Sequence, residues 1–417
     1  MRVLVISPYL PHRQIGHGGG VSIREMVRHL SRLHDVTLVS LMRRGEEAYL
    51  DEVAQSLDVS LHPIPFLDRH AAGRSRTALL IDRFRAGLRS LGTGYPLYVE
   101  KYWSSDLSLR IQAAVEEVSP DVVQVEYLQL ARILQDLRRW RDRVDTSGAK
   151  LPRLMLDTHE MGSLPRSRRA QMSGNPLSKK QLQLSAMRWR KLERDATRWA
   201  DYTLCVTDQD RKLLEASGGI NCVTVPLGID TEAIKPVWEK EGPGRLLFVG
   251  SFDHGPNRSA AKFLVDRVWP VVAQYTSMKQ LVLAGRGSDR FISALGIGDN
   301  SVVGLGFVDD LTELYRSCRL CVAPLTEGGG IKIKILEAMA RGIPIVTTPV
   351  GSEGIVAEED DAMTLAAADE SFATAVVEAL EDRSNTIGRA RRARMIIENR
   401  FSWSAITERL TSLYGRR

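Results

Sequence analysis

Short apolar runs alternate with amphipathic stretches along the chain, and this alternation predicts the fold class. Residues 2–8 (RVLVISP) form a continuous apolar run, which is typical of a strand buried on both faces of a parallel sheet. Residues 35–41 (DVTLVSL) predict a second strand. Between the two, apolar residues recur at helical spacing, namely Val21, Met26, Val27, Leu30 and Leu33. Strand, helix, strand is a βαβ unit, and such units build parallel sheets.

Three later apolar runs continue the same scheme in the first half of the chain, at 121–127, 153–159 and 202–207. The span 160–200 differs from them, because it is polar and includes the stretch RSRRAQMSGNPLSKK. We expect a mobile loop there, which leads into a helix at about 181–200. The first half therefore predicts one parallel sheet with helical crossovers.

The second half repeats the pattern after a polar stretch near 229–243. Five further strands alternate with helical segments and predict a second doubly wound sheet, at 244–252, 279–287, 301–308, 320–325 and 343–351. A chain of 417 residues exceeds the roughly 250–300 residues at which single cores stop growing. We therefore expect an N-terminal domain over 1–230, a C-terminal domain over 231–399, and a final helix at 400–417 that packs back on the first domain. Strand ends of both sheets would then face a central cleft.

Charge and cysteine content narrow the classes of protein. The net charge of +6 comes from the first half of the chain, which favours a partner with an anionic surface there. The start is apolar for too few residues to be a signal peptide, and no window approaches the about 18 apolar residues of a membrane span. We therefore expect a cytoplasmic protein. We expect the four cysteines to be packing thiols rather than zinc or redox sites: Cys205, Cys222, Cys318 and Cys321.

A glycine-rich turn in the second half is the strongest candidate for a ligand site. Gly328, Gly329 and Gly330 lie between a predicted strand and a predicted helix, whose first N–H groups suit a phosphate or a sugar hydroxyl. Lys332 and Lys334 put positive charge at the start of that helix, where the helix dipole disfavours it unless an anion is bound. The turn therefore predicts a site for a phosphorylated ligand.

The same helix has a simpler interpretation as well. Glu337 follows Lys334 by three residues on one face, and together with Arg341 these side chains could form an exposed, salt-bridged stripe. The glycines would then make only a strand-to-helix turn. Either interpretation gives the helix a core-facing stripe at i, i+4 and i+8, formed by Ile331, Ile335 and Met339.

A second glycine run, Gly18, Gly19 and Gly20, precedes the first predicted helix and could also receive an oxyanion. A plain turn is the alternative. A dinucleotide site would need G-x-G-x-x-G and an acidic residue after the second strand. Because these glycines are contiguous and DVTLVSL is not followed by an acidic residue, a nicotinamide or flavin oxidoreductase is disfavoured.

Polar residues also end two predicted strands of the first half. His159 follows Asp157 at one strand end, and Glu126 ends the strand before it. Carboxyl ends of parallel strands are where open sheets bind ligands. A buried, hydrogen-bonded histidine without a ligand is the alternative.

Residues 68–92 (DRHAAGRSRTALLIDRFRAGLRSLG) carry six arginines against two aspartates, with Leu79, Leu80, Phe84 and Leu88 among them. A basic amphipathic helix of this kind can lie on an anionic membrane surface. A solvated helix face is the alternative. Nucleic acid is disfavoured as a partner, because no basic platform interleaved with aromatic residues is present.

Several segments in order resemble the family-4-like retaining glycosyltransferases of the GT-B fold, which have two Rossmann-like domains. GGGIKIKILEAMARGIPIVTTPVGSEGI is similar to the donor-site segment of that family. GGGVSIREMVRHL resembles its first glycine loop, LDTHEM its Asp/His strand end, VPLGID its interdomain hinge, and LLFVGSFDHGPN the start of its second domain. The resemblance covers essentially the whole chain. It implies transfer of a sugar from a nucleoside diphosphate to a saccharide or lipid-linked acceptor, in polysaccharide or glycoconjugate biosynthesis.

The resemblance also implies roles for single residues. Glu337 matches the second glutamate of the E-x7-E pattern of the family, which bonds the donor ribose. The first glutamate would fall on Gly329, so that Glu327 or backbone N–H groups must take its place. GSFDHGPNRS stands where the family has an Arg…Lys phosphate pair, so Lys332 or Lys334, with Arg258, would neutralise the diphosphate.

The predicted site falls into three sets. The donor-binding set is Gly18, Gly19, Gly20, Gly250, Asn257, Arg258, Glu327, Gly328, Gly329, Gly330, Lys332, Lys334 and Glu337. The acceptor-binding set is Glu126, Asp157 and His159, and the catalytic set is His159, Lys334 and Glu337.

Two further functions stay open at this point. The glycine at position 329 also suits a non-catalytic partner subunit of the same fold, and a sugar-nucleotide epimerase of that fold would need no acceptor. The resemblance implies no cofactor and no metal, since the departing diphosphate can deprotonate the acceptor in a front-face reaction. Asp309 and Asp310 are better explained as a helix cap than as a metal-binding pair. The expected location is the cytoplasm, and a peripheral position at the inner face of a membrane stays open as an alternative.

Overall fold

The fold is described here from a computed structural model. The structure describes residues 1–15, 18–66, 76–144, 151–237, 244–298, 300–327, 330–356 and 360–415, and for 76–79 the backbone only. The chain divides into two compact units. The first consists of Met1–Gly228 together with Ile406–Arg417, and the second of Ile229–Ala405.

The first unit is built on a parallel sheet of seven strands in the order β3-β2-β1-β4-β5-β6-β7. Its central strands are buried on both faces, as their continuous apolar runs predict. The strands are β1 (Arg2–Ser7), β2 (Asp35–Met42), β3 (Ser60–Pro65), β4 (Val122–Glu126), β5 (Arg153–Asp157), β6 (Tyr202–Cys205) and β7 (Cys222–Thr224).

Helices connect these strands and cover the sheet with one large apolar core. They are α1 (Gly18–Ser31), α2 (Leu50–Leu57), α3 (Arg76–Thr93), α4 (Leu97–Glu100), α5 (Ser105–Val118), α6 (Ala131–Val144), α7 (Ser163–Met172), α8 (Pro176–Thr197) and α9 (Asp208–Ala216), with short 3-10 turns at Glu46–Tyr49 and Leu128–Leu130.

The second unit repeats the plan with six parallel strands in the order β10-β9-β8-β11-β12-β13. The strands are β8 (Arg245–Val249), β9 (Gln280–Ala284), β10 (Val302–Gly304), β11 (Leu320–Ala323), β12 (Ile345–Thr347) and β13 (Thr364–Leu365). The helices are α10 (Gly255–Phe263), α11 (Trp269–Tyr275), α12 (Ser288–Leu295), α13 (Thr312–Arg316), α14 (Ile333–Ala340), α15 (Pro349–Ser352), α16 (Glu370–Glu381) and α17 (Arg383–Ile396), with π-helical turns at Leu264–Val268 and Ile397–Phe401.

The predicted pair of doubly wound parallel sheets is confirmed. Each sheet reverses its strand order beside its first strand, between β1 and β4 in one unit and between β8 and β11 in the other. Open α/β sheets bind ligands outside the carboxyl ends of the strands at this switch point. The loops that leave these four strands are therefore where each unit can present functional groups.

The mobile loop expected in the first part of the span 160–200 is wrong, whereas the helix expected at about 181–200 is confirmed within α8. Helices α7 and α8 fill that span and pack against each other. Asn175 caps α8 by accepting hydrogen bonds from the N–H groups of Leu177 and Ser178, and Pro176 takes the first helical position. Glu193 of α8 accepts bonds from the N–H and the hydroxyl of Ser163, at the start of α7.

The apolar stripe predicted for α1 is also narrower than expected. Met26, Val27 and Leu30 are buried, whereas Val21 and Leu33 are exposed. Leu33 lies beyond the end of the helix at Ser31, so the helical period does not reach it.

The last helix, α18 (Trp403–Gly415), contributes to the first unit from Ile406 onward. Ile406, Leu410 and Leu413 are buried, as their spacing predicts. Arg153 of β5 donates hydrogen bonds to the carbonyl oxygens of Leu413 and Tyr414. Within the described parts of the chain, no helix combines the length and the apolar character that crossing a membrane requires.

Candidate active site

A close approach of backbone and side chains marks the switch point of the second unit. Gly250 follows β8, and a Cβ atom there would lie 2.8 Å from Nζ of Lys334 and 2.9 Å from the side-chain amide of Asn257. Gly285 follows β9 with φ of +128°, and a Cβ atom on it would lie 2.2 Å from the carbonyl oxygen of Gly250. Both positions therefore need glycine for the loops to meet.

Lys334 is the basic group at this point. It lies in the first turn of α14, its Nζ donates to Oδ1 of Asn257 at 2.5 Å, and it stands 4.6 Å from the ring centre of Phe248. The Nδ2 of Asn257 donates in turn to the carbonyl oxygen of Ser251. The ammonium group is therefore held by a neutral amide and an aromatic face.

The charge of Lys334 is poorly compensated. Burial lowers the pKa of Lys334 to about 7, from an ordinary value of 10.5. Among the described residues, no carboxylate lies within ion-pair distance of its Nζ. Lys332 differs, because its Nζ is 3.3 Å from Oε2 of Glu353 and donates to the carbonyl oxygen of Gly330. Of the two predicted lysines, Lys334 is thus the one whose charge an added anion would compensate.

The exposed salt-bridged stripe on α14 is wrong. Arg341 is buried, with its guanidinium 4.6 Å from the ring centre of Tyr315. Glu337 is partly buried, and its burial raises the pKa of its carboxyl group, an effect that the nearby Arg341 only partly opposes. The three side chains therefore do not form a solvated surface row.

The remaining donor-side residues are placed less tightly. Gly330 has φ of +66°, which a residue with a side chain rarely adopts, and no described residue lies within 4 Å of its Cβ position. Glu327 is exposed ahead of it, and Gly328 and Gly329 lie outside the described residues. Arg258 is exposed on α10 and donates to the carbonyl oxygen of Phe252 at 2.6 Å.

The switch point of the first unit brings together the three predicted acceptor-side residues. Glu126 ends β4, Asp157 ends the neighbouring strand β5, and the two residues are register partners. Nε2 of His159 lies 2.5 Å from Oε2 of Glu126, and the N–H of His159 donates to Oδ1 of Asp157. All three side chains are buried.

Strained backbone and aromatic stacking fix the histidine. His159 has φ of +52°, and Tyr127 next to Glu126 has φ of +70° with ψ of 140°. Such conformations cost about 1–3 kcal/mol each in non-glycine residues and cluster at functional sites. The rings of Tyr127 and His159 stack at 3.9 Å and 5°. The imidazole is thus restrained on its face and at its Nε2 edge.

The pair of His159 and Glu126 retains a proton. Burial opposes the charging of His159, but Asp157 and the bond to Glu126 outweigh it and raise the pKa of the imidazole. Burial raises the pKa of Glu126, and the bond to His159 only partly offsets that rise. The ligand atoms of Glu126, Asp157 and His159 lie within 4.8 Å of one another, so this set could also hold a metal ion.

The first glycine run is helical. Gly18, Gly19 and Gly20 form the first turn of α1 and do not precede it, which corrects the prediction. A Cβ atom on Gly20 would lie 2.1 Å from the side chain of Ile15, so this glycine has a packing role. The start of a helix favours an anion, and the interaction of these glycines with an oxyanion stays a prediction.

The amphipathic segment forms α3. Its side chains Leu80, Phe84, Leu88 and Leu91 are each more than half exposed. One of its arginines departs from the expected basic face, because Arg89 is 3.5 Å from the buried carboxylate of Glu100. The first part of the predicted segment, residues 68–75, and the side chain of Leu79 lie outside the described residues.

Comparison with protein families decides the relationship of the chain. The sequence model of "Glycosyltransferase Family 4" matches residues 16–233, more than half of the 417 residues. The chain belongs to glycosyltransferase family 4. A second model, "Glycosyl transferases group 1", matches residues 243–382. The resemblance found from the sequence motifs is therefore confirmed.

One curated relative and two solved structures are similar to the chain to different degrees. The family 4 chain is 26% identical to a phosphatidyl-myo-inositol mannosyltransferase of Mycolicibacterium smegmatis over 219 residues, which are 51% of this chain and 56% of the relative. The match thus spans about half the length of that relative. Sucrose-phosphate synthase from Thermosynechococcus elongatus shares the fold at a TM-score of 0.67, with 16% identity and 99% and 98% of the two chains covered. Anabaena HepE in complex with UDP gives a TM-score of 0.61 at 15% identity, with 99% of each chain covered.

Several residues of the two switch points were not predicted. Phe248 under Lys334 and Glu353 beside Lys332 lie within the motifs, and Tyr127 follows Glu126, but only their contacts identify them as parts of the site. Gln124, two residues before Glu126 on β4, is the exception. A polar residue inside the apolar run DVVQVEY marks a buried position that needs a partner.

Proposed function

We propose that this family 4 protein is a retaining glycosyltransferase, which moves a sugar from a nucleoside diphosphate to a saccharide or lipid-linked acceptor. The second unit would bind the donor, and the first would orient the acceptor. The observation that carries the proposal is the poorly compensated ammonium group of Lys334, a partly buried side chain at a switch point.

A diphosphate is the ligand that this ammonium group favours. The charged form of a buried lysine is unfavourable without an anion, and a bound diphosphate supplies one together with hydrogen-bond acceptors. Among the described residues, nothing lies within 4 Å of a Cβ atom built on Gly330, so a ligand could approach the backbone there. Glu337 would bond the donor ribose, as its match to the family pattern implies.

The proposed reaction is redox-neutral. The bond from the anomeric carbon to the diphosphate oxygen breaks, and a bond to the acceptor oxygen forms on the same face of the sugar. The acceptor proton passes to the departing diphosphate. Lys334 in its protonated form would stabilise the charge that develops on the diphosphate. His159, held by Glu126, would contact the donor sugar or orient the acceptor hydroxyl.

The names of related proteins give the first substrates to test. The curated relative is named a mannosyltransferase that acts on a phosphatidyl-myo-inositol, and HepE was solved with UDP and UDP-glucose. A sugar donor linked to a nucleoside diphosphate and an acceptor with a lipid are therefore the classes we propose for this chain.

The test is a thermal-shift panel of uridine, guanosine and adenosine diphosphates and their hexose conjugates, followed by a transfer assay with the donor that binds. Ligands that bind the folded state raise the melting temperature by mass action. We expect one nucleoside diphosphate to raise it in the wild type, and a smaller rise in Glu337→Gln. Proton NMR of the product would show a retained anomeric configuration.

Three outcomes separate the alternatives. No shift with any nucleotide at millimolar concentration would contradict the donor site and favour a non-catalytic partner subunit. Conversion of the nucleotide sugar without an acceptor would favour an epimerase. An inverted product would contradict the retaining mechanism while leaving the donor site intact.

We further infer that the acceptor is reached at an anionic lipid surface. Leu80, Phe84, Leu88 and Leu91 follow one face of α3, and Arg83 and Arg85 are exposed beside them. Isolated exposed leucines are ordinary, but an apolar stripe flanked by arginines suits the boundary between lipid headgroups and acyl chains.

Helix α8 carries further exposed apolar side chains and contacts the end of α3. Arg188 of α8 donates to Oγ of Ser90 at 3.1 Å, and Lys191 donates to the carbonyl oxygen of Thr93, so α8 packs beside the end of α3. Leu177, Leu184 and Met187 on α8 are each more than half exposed. The two helices together supply more apolar and basic surface than the segment 68–92 predicts.

Sedimentation with lipid vesicles tests this surface. We expect the wild type to bind vesicles of mixed phosphatidylcholine and phosphatidylglycerol and not those of phosphatidylcholine alone, with weaker binding at high salt. The double variant Phe84→Ser/Leu88→Ser should lose binding and keep its melting temperature, because both side chains are exposed. Leu109→Ser, an equally exposed leucine on α5, is the matched control. Unchanged binding of the double variant would contradict the inference.

A further inference from the structure

A chain of buried hydrogen bonds runs from the last helix to the predicted catalytic histidine. The hydroxyl of Tyr414 on α18 donates to Oε1 of Gln124 on β4 at 2.6 Å. Nε2 of Gln124 donates to Oε1 of Glu126 at 2.7 Å, and Oε2 of Glu126 contacts Nε2 of His159 at 2.5 Å. All four side chains are buried and belong to the first unit.

The direction of this chain is fixed by its members. The amide nitrogen of Gln124 faces two acceptors, because Sδ of Met26 lies 3.2 Å away in addition to Glu126. The amide oxygen therefore points to Tyr414, whose hydroxyl must donate. Burial raises the pKa of the Tyr414 phenol well above its usual value, so the proton that it donates is retained.

Each link restrains the next one. Gln124 occupies one oxygen of the Glu126 carboxylate and leaves the other for His159. Without Tyr414, the buried oxygen of the Gln124 amide would lack its donor, and the amide would gain from rotating toward other partners. A rotated amide would turn an oxygen toward Glu126 and repel the carboxylate from its position.

We propose that Tyr414 and Gln124 are positioning residues, which hold Glu126 so that His159 keeps the ring orientation that the transfer reaction needs. The catalytic consequence rests on the proposed function, whereas the geometric consequence for the imidazole does not. Tyr414 lies in the segment of the last helix that belongs to the first unit, so that segment supports the histidine site as well as the core.

The test compares two variants of the last helix that each lose one hydroxyl. Tyr414→Phe removes the donor to Gln124 and keeps the ring. Thr411→Val removes the hydroxyl that lies 2.8 Å from Nε2 of His34 and is the matched control. We expect Tyr414→Phe to lower kcat by about three- to tenfold, the range that one lost hydrogen bond supports, with little change in the KM for the donor. Thr411→Val should change neither.

A second readout does not depend on activity. In protein labelled with 15N-histidine, the ring nitrogen signals of His159 report its tautomer and its bond to Glu126. The variant His159→Asn assigns those signals. We expect Tyr414→Phe and Gln124→Met to shift them in the same direction, and Thr411→Val to leave them unchanged.

The outcomes separate the two proposals. If the ring signals shift and no transfer is ever detected, the positioning role stands and the proposed function fails. If transfer is robust and Tyr414→Phe changes neither the signals nor kcat, the positioning role is overturned. The double variant Tyr414→Phe/Gln124→Met adds a check, because residues of one network lose less together than the sum of their separate losses. Additive losses would also overturn the proposal.

Discussion

The two switch points have the same kind of parallel sheet but shift the pKa of their basic groups in opposite directions. In the first unit, His159 faces two carboxylates and its pKa is raised, so that its charge is compensated within the protein. In the second unit, Lys334 faces an amide and an aromatic ring, and its pKa is lowered to about 7. One site keeps a proton without a ligand, and the other gains charge when an anion arrives.

This difference separates a group that is held in place from a group that awaits a ligand. A hydrogen-bonded network of buried polar groups is rigid and specific when every member has a partner. A buried charge without a counter-ion destabilises the free protein and is stabilised by a ligand of opposite charge. The two sites should therefore respond in opposite ways to substitution.

The largest expected effect follows from removing the charge of Lys334. In Lys334→Met, affinity for the nucleoside diphosphate should fall by about 100-fold, because a charge-assisted contact with the diphosphate is lost. The free energy of unfolding of the ligand-free protein should rise by about 1–3 kcal/mol, since a buried unpaired charge is gone. Calorimetric titration and chemical denaturation measure the two quantities.

A matched lysine sharpens this result. Lys262→Met in the same unit removes an exposed ammonium that pairs with Asp266, and it should change neither quantity appreciably. If Lys334→Met lowers the free energy of unfolding, the charge of this lysine is compensated in the free protein. The contrast between Lys334 and His159 would then be wrong.

The next effect is a dependence on pH. Because the pKa of Lys334 is about 7 in the free protein, nucleotide binding above that pH must recover a proton. The dissociation constant should rise by up to about tenfold per pH unit above 7, until the pKa of the complex is reached. Titrations across pH 7 to 9 in buffers of different ionisation enthalpy measure the affinity and the proton uptake. Lys334→Met should show no uptake.

The same shift makes a separate statement about stability. The unfolded chain keeps the ordinary lysine pKa of 10.5, so between pH 7 and 10.5 it binds more protons than the folded protein. The contribution of Lys334 to the free energy of unfolding therefore becomes more favourable as the pH rises through that window, and it is unfavourable below pH 7. Comparing the pH dependence of unfolding in the wild type and Lys334→Met isolates this contribution.

The smallest of these effects comes from adding one methyl group. Gly250→Ala places a Cβ atom 2.8 Å from Nζ of Lys334 and should weaken diphosphate binding by about three- to tenfold, with a cost of about 1–3 kcal/mol in stability from overpacking. Gly255→Ala is the matched control, because its nearest neighbour would lie 3.9 Å away. If the two variants have the same affinity for the diphosphate and the same melting temperature, the close approach of Gly250 to Lys334 is not required for binding or for stability.

Periodicity predicted the two sheets because buried parallel strands are continuous apolar runs, which local sequence shows directly. Helix α7 and the first turn of α8 were missed for the opposite reason. Both segments are rich in polar and charged residues, and the N–H and hydroxyl groups of Ser163 at the start of α7 donate to Glu193, 30 positions later. The pair Asn175–Pro176 was an available sign of a helix start, since the asparagine caps the helix and proline suits its first turn.

The candidate site was also predicted only in part from the sequence. Motifs identified the residues His159 and Lys334, but they could not identify what each residue contacts. Asn257 is 77 positions from Lys334, and Glu126 is 33 from His159. Whether a lysine is exposed and paired or buried and uncompensated depends on such distant neighbours, so its protonation is a property of the fold and not of the motif.

The bond between Tyr414 and Gln124 has a consequence for synthesis. Its partners are 290 positions apart, and the whole second unit is made between them. At about 5–20 residues per second, the ribosome needs about 15–60 s to add those residues. During this time the first sheet lacks α18, so its buried glutamine has no hydroxyl donor and part of its apolar surface is uncovered. The second unit is one continuous segment and can fold as soon as it is made. A chaperone that shields the nascent first unit would act during this interval.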